Sequence, residues 1–288
     1  MQTLIGAALA ALLTSAAIGA QNKPPTPQEQ YQALLKDHLR ASSSGRPLTD
    51  AERLKFVGQA YQHRFALGLK FLDLAEKHPN HPVAVDALIQ AVWQVNTTPW
   101  PVELVGEDKA RGRAFELLIH NYIGSDKLAP LCQRISYGFC REYETFLRAV
   151  LKSNPHKTVQ AAAMTSLGHF LHNRMERVAL CQDEPELANE FADLFGKEYF
   201  ANLQRQERSL VVKESEALFE QALAKYGDVP LPAGDSTADQ AKSELFAIRM
   251  LSMGRKALDT EGVDQDGKEF KLSDYRGKVV LLDFWSYV

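Results

Sequence analysis

The sequence predicts a mainly α-helical chain of helical hairpins that closes in a short β segment. Three observations predict it. Apolar residues keep helical spacing from Thr49 to about Tyr226. Polar or Pro-containing breaks at "KHPNHP", "TTPWP", "GSDK", "KSNPHK" and "QDEPE" cut that span into helices and leave no strand pattern inside it. From Ala257 the composition changes to extended stretches separated by Gly-containing turns.

The elements follow in order. Residues 1–20, "MQTLIGAALAALLTSAAIGA", are apolar, end in small residues and run straight into polar "QNKPPTPQEQ". This pattern is that of an export signal, with cleavage after Gly19 or Ala20, although the positive charge before Leu4 is only the chain's own amino terminus. An uncleaved membrane anchor is the alternative, against which the run is short for a hydrocarbon core about 30 Å thick. Residues 21–48 form a Pro-rich tether and a first helix. There Thr26-Pro27-Gln28-Glu29 has the form of a capping box with Pro at the first helical position.

Residues 49–232 are the helical-hairpin domain. Two stretches within it resemble copies of each other, "FLDLAEKHPNHPVAVDALIQAVWQV" from Phe71 and "FLRAVLKSNPHKTVQAAAMTSLGHF" from Phe146. Val83 answers Val159 and Ala87 answers Ala163, 76 residues apart, which is about two units of a tetratricopeptide or HEAT-like hairpin. A repeat array and an irregular bundle both fit that pattern. Residues 233–256 are a linker and connecting helix, Ala238 to Met253, with Gly254 as its stop. Residues 257–288 then read as an extended stretch to Val263, a turn at "DQDGK" in which Asp266 and Gly267 supply positive φ, a short strand at "EFKLS", and a "DYRG" turn. "KVVLLDFW" from Lys278 closes the chain as a strand buried on both faces.

With 24% charged residues and a formal net charge of -3, the chain lacks the basic face that nucleic acid requires. "KARGR" at Lys109 to Arg113 follows Glu107 and Asp108 and reads as a solvated helix face. Cys132, Cys140 and Cys181 show no C-x-x-C spacing, and their odd number leaves at least one unpaired within the chain. Cys132 and Cys140 can bridge only if "ISYG" turns the chain, since eight residues of straight helix rise about 12 Å against a limit of about 7 Å. Buried free thiols are the other reading. His169, His172 and Glu176 share one face of a helix, as metal ligands would. Leu171 and Met175 beside them are ordinary packing positions and no second ligand-bearing helix is identifiable, so the sequence assigns no metal and no cofactor. His78 and His81 read as turn residues, and Trp93 and Trp100 as packing residues.

The closing segment, "ALDTEGVDQDGKEFKLSDYRGKVVLLDFW", resembles the opening of the redoxin, or thioredoxin-like, domains of the alkyl hydroperoxide reductase and TlpA-type families. Leu272 to Trp285 corresponds to their "L-S-D-Y-R-G-K-V-V-L-L-D-F-W", while "SYV" departs from the commoner "ATW". Exported bacterial proteins with a long helical region ahead of a redoxin domain are also similar along "SDKLAPLCQR", "FLRAVLKSNPH" and "ELFAIRMLSMG". The resemblance implies an exported, periplasmic thiol-disulfide oxidoreductase or thiol peroxidase whose helical region positions a thiol or disulfide client or a redox partner. It also implies that the catalytic Cys-x-x-Cys lies beyond Val288, so that the chain as given is an inactive N-terminal portion. In that chemistry a thiolate at a helix N-terminus attacks a disulfide or peroxide and is resolved by a second cysteine one turn on. None of Cys132, Cys140 and Cys181 takes that role; Trp285 would border the site, and Asp283 would satisfy buried polar groups near it. A non-catalytic helical interaction scaffold carrying a redoxin remnant is the alternative.

Overall fold

A computed structural model describes residues 24–42, 50–95, 107–252 and 255–283. The proposed signal, the "TTPWP" break, Trp100, Gly254 and Trp285 lie outside the described residues. Among those residues eleven α-helices carry the fold, with one two-stranded sheet, so the chain is mainly helical. The chain divides into two compact units, one of residues 1–134 and 140–163, the other of residues 135–139 and 164–288.

The first unit holds α1 (Pro27–Ser42), α2 (Asp50–Lys77), α3 (Val83–Val95), α4 (Glu107–Tyr122), α5 (Ala129–Ile135) and α6 (Arg141–Ser153). The capping box forms as expected. Thr26 Oγ1 accepts from Glu29 N (3.3 Å) and Glu29 Oε2 accepts from Thr26 N (2.7 Å), which satisfies two donors at the start of α1. Ten of the thirteen residues of α3 are buried, which makes it the central helix of this unit. On α6, Tyr143, Phe146, Leu147 and Val150 recur at helical spacing and are all buried. Phe115 of α4 packs on two of them, its ring centroid 5.6 Å from Tyr143 and 5.2 Å from Phe146. Such aromatic pairs add about 0.5–1.5 kcal/mol each beyond the area they bury.

The breaks between these helices are built from polar side chains. His81 Nδ1 accepts from Val83 N (3.2 Å) at the start of α3, and Tyr122 donates to the carbonyl of Pro79. Buried Asn154 donates to the carbonyls of Ile123 (2.7 Å) and Ser125 (2.8 Å) and accepts from His156 N (2.9 Å). Gln160 Nε2 donates to the carbonyls of Leu151 and Asn154, groups that the end of α6 leaves without helical partners. Of the two copied stretches, each is helix, short break, helix, and Val83, Ala87, Val159 and Ala163 are all buried. "KARGR" departs from a solvated face. Arg113 pairs with Glu76 and Glu116 at the surface, but Arg111 is buried, 3.7 Å from Glu142, because its side of α4 faces α6.

Helix α7 (Lys157–Asp183) begins in the first unit and continues into the second, which adds α8 (Pro185–Phe195), α9 (Lys197–Gln204), α10 (Arg208–Tyr226) and α11 (Thr237–Phe246). Phe139 packs against Phe191 (5.3 Å), Phe195 (4.7 Å) and Tyr199 (6.3 Å) in one aromatic cluster. A second cluster centres on Phe219 of α10, with Ala241, Leu245 and Ile248. Ser236 caps α11 by accepting from Asp239 N (3.0 Å). The connecting helix starts at Thr237 and passes at Ala247–Leu251 into a π turn rather than running as α-helix to Met253.

The β segment is a hairpin of β1 (Glu261–Val263) and β2 (Glu269–Lys271), antiparallel, with Gly262 opposite Phe270. Its turn corrects the expectation that Asp266 and Gly267 share the positive-φ positions: Gly267 alone has φ 79°. Gly267 N donates to Asp264 O (3.0 Å), and Asp264 Oδ1 accepts from Asp266 N and Lys268 N. The Asp264 side chain therefore closes the loop, and only one left-handed residue is needed. "DYRG" also turns as expected. Lys278 N donates to Tyr275 O (3.0 Å) across Arg276 (φ -58°, ψ 136°) and Gly277 (φ 84°), the dihedrals of a type II turn.

Beyond that turn the expectation fails. Residues 279–283 form no strand and are exposed, Val279 and Leu281 almost completely. The reason is physical: a strand exists only as one side of a ladder, and no other strand among the described residues pairs with this run.

Candidate functional site

A concave site lies within the first unit, where α1, α2, α3 and α5 leave a pocket of about 450 Å³. Leu35 and Leu39 give it apolar walls, while Arg64, Trp93, Gln94 and Arg134 bring polar groups to it. Gln94 is buried beside the last turn of α3, and its Oε1 accepts from Arg64 Nε (3.3 Å). That bond engages the guanidinium through Nε, and Arg64 also lines the pocket. Trp93 is half-buried, and its indole N–H, cut off from solvent, has no acceptor among the described residues. No carboxylate borders the pocket among those residues.

The electrostatics follow from this composition. Burial pulls the Arg64 guanidinium below its ordinary value; Tyr61 acts in the opposite direction, and the neighbouring Arg134 charge, the smallest of the three effects, lowers it further. His38 is also pulled down, first by burial and then by the charges of Arg64 and His63, so its imidazole stays neutral at pH 7. The site is therefore positive through its two arginines. Its residues come from four helices and carry no motif, so nothing in the sequence joined them. Trp93, expected as a packing residue, borders this pocket instead.

The residues singled out from the sequence sit elsewhere. His169 and His172 do share a face of α7 with Glu176, but each is engaged by different chemistry. His169 Nδ1–H donates to Glu244 Oε1 of α11 (2.8 Å), and Tyr137 lies with its ring centroid 4.5 Å from the imidazole. Glu176 pairs with Arg208. His172 Nδ1 is shut off from solvent without a hydrogen-bond partner, and burial, more than its charged neighbours, lowers its pKa. Among the described residues no three of His, Cys, Asp and Glu come together in a way that could hold a metal ion.

The three cysteines are buried and none forms a disulfide. The "ISYG" segment does turn the chain, with Gly138 N donating to Ile135 O (3.0 Å), yet Cys132 and Cys140 remain unbridged. Burial pushes the Cys132 thiol far above its ordinary value, and Cys181 is raised by burial and by Glu184. Thiolates are the reactive species in redox chemistry, so both sites disfavour it. His78 and His81 occupy the turn between α2 and α3 as expected.

At the hairpin, Asp259 accepts from Ser273 through both carboxylate oxygens, from the backbone N–H and from Oγ (each 2.8 Å), and these bonds hold its carboxyl below the usual range. Phe270 meets Tyr275 edge-on at 6.2 Å. These contacts fix the turn against the hairpin. Among the described residues no helix is long and apolar enough to cross a membrane. Compared with protein-family models, curated proteins and solved structures, the chain matches none.

Proposed function

We propose that this chain is the N-terminal portion of an exported redoxin-family thiol-disulfide oxidoreductase or thiol peroxidase, with residues 49–232 positioning a client or redox partner. The observation that carries the reading is the segment from Glu261 to Lys278. A hairpin leads into a short 3-10 turn at Leu272–Tyr275 and a type II turn at Gly277, and these deliver "KVVLLDFW" in the order in which redoxin domains use it. In a thioredoxin-like sheet the apolar run Val279–Leu282 would be a central strand, and its exposure here marks the surface that neighbouring strands would cover.

The reading also requires that the redox-active thiols be others than Cys132, Cys140 and Cys181. All three are buried, and for Cys132 and Cys181 burial works against the thiolate. The helical hairpins, as a tetratricopeptide or HEAT-like array or as an irregular bundle, would hold the partner near that centre. A pocket confined to the helices favours the second reading, in which the helical region is a binding scaffold without redox chemistry.

Reading the coding DNA past the Val288 codon tests the proposal. A Cys-x-x-Cys within the next few codons supports the redox enzyme. A stop codon there rejects it and leaves the scaffold. Residues 21–288, assayed for insulin-disulfide and peroxide reduction, should give background rates; turnover by this chain would overturn the assignment of its cysteines.

A further inference from the structure

The pocket among α1, α2, α3 and α5 combines two cationic groups with apolar walls. We infer that it binds a small organic anion, a carboxylate head on an apolar body. This binding function is independent of the redoxin reading.

Arg64 is half-buried and spends only its Nε on Gln94, a neutral acceptor. A guanidinium presents five N–H donors and accepts nothing, so its remaining donors need oxygen atoms. Arg134 borders the same pocket, and its charge repels that of Arg64, an effect smaller than that of burial. An anion between them removes that repulsion and supplies the missing acceptors. Carboxylate is the matching head, because its two oxygens fit the fork of a guanidinium with two parallel hydrogen bonds.

The walls argue for an apolar body behind the head. Leu35 and Leu39 of α1 and the indole of Trp93 offer hydrophobic surface, and a Leu39 that is 67% exposed gains by being covered. The volume of about 450 Å³ suits a small molecule of ten to fifteen heavy atoms, roughly the lower part of the range for ligand pockets.

Isothermal titration of residues 21–288 with 3-phenylpropionate tests this, with 3-phenylpropan-1-ol and inorganic phosphate as comparison probes. The expected result is saturable binding of the carboxylate with a Kd on the order of 1 mM, as suits a fragment-sized ligand. The alcohol and phosphate should each bind at least about tenfold more weakly, the loss that one charge-assisted hydrogen bond represents. Arg134→Gln, at an exposed position, should weaken the carboxylate about tenfold while the far-UV circular dichroism melt stays unchanged, and Arg64→Gln should do so more strongly. Equal affinity for the alcohol would leave no anion site, and equal affinity for phosphate would leave no role for the apolar walls. Undiminished binding by R134Q, or no carboxylate binding up to about 10 mM, would equally overturn the inference. If R64Q does not fold, R134Q and the two comparison probes still decide it.

Discussion

Replacing Gly168 by alanine sets two effects of known sign against each other. Gly168 lies inside α7 and is buried, and its carbonyl accepts from buried Ser215 Oγ of α10 (2.7 Å). Alanine in a helix interior is worth about 1 kcal/mol over glycine. A Cβ at this position, however, would stand 2.9 Å from Cε2 and Cζ of Phe219 and 3.2 Å from Cε1. Carbon atoms rest at about 3.5–4.0 Å, so the ring must retreat by roughly 0.7 Å. Phe219 is fully buried against Ala241, Leu245 and Ile248 and has little room to do so. Overpacking of this kind costs about 1–3 kcal/mol, which leaves G168A destabilised by about 0–2 kcal/mol.

The partner substitution Phe219→Leu, made alone, opens space and costs about 1–2 kcal/mol, part of the 3–5 typical of Phe→Ala. In the double variant the new methyl occupies the space the ring vacated and the helix gain of alanine is recovered. The coupling should be favourable by about 1–3 kcal/mol, so the double variant is more stable than the sum of the singles implies. Urea unfolding of the four proteins, at constant slope, measures it. Additivity within about 0.5 kcal/mol would refute the reasoning, because it would mean that Gly168 and Phe219 do not limit each other.

Thr26→Ala should remove the capping box and cost about 1 kcal/mol, read as faster hydrogen exchange in the first turn of α1 with α3 unaffected. Because burial lowers the His172 pKa in the folded chain, the unfolded chain binds the extra proton more readily. The stability this group supplies is present above its unfolded value near 6.5 and is lost as pH falls toward its folded value. Denaturation midpoints should therefore drop below about pH 6.5, and H172Q should flatten part of that drop, the rest belonging to His38, which is lowered in the same way. With Cys132, Cys140 and Cys181 all buried, a thiol reagent should label the native chain slowly and all three rapidly in guanidinium; one fast native thiol would contradict their placement.

Local chemistry explains which features were legible in the sequence. The capping box at Thr26, the helix end at Tyr226, the histidine turn between α2 and α3 and the turn of the hairpin at Asp264–Lys268 depend on residues within five positions of one another, and each formed where its residues stand. His169, His172 and Glu176 share a helix face because their spacing alone fixes that. Whether they meet a metal, Glu244 or Arg208 is decided by elements 32 to 75 residues away.

The sequence by itself determined the helical class, the breaks, the turn glycines and the absence of a basic face, because each follows from period, backbone freedom or composition. Only the tertiary structure decided that Arg111 is buried against Glu142, that all three thiols are buried and unbridged, and that Arg64, Trp93 and Arg134 gather at one pocket. It also decided that Val279–Leu282 stays exposed. The physical reason is the same throughout: burial and pairing belong to the partner a residue meets. A run of β-branched residues fixes only what a strand would need, while the ladder that makes it a strand has to come from another segment.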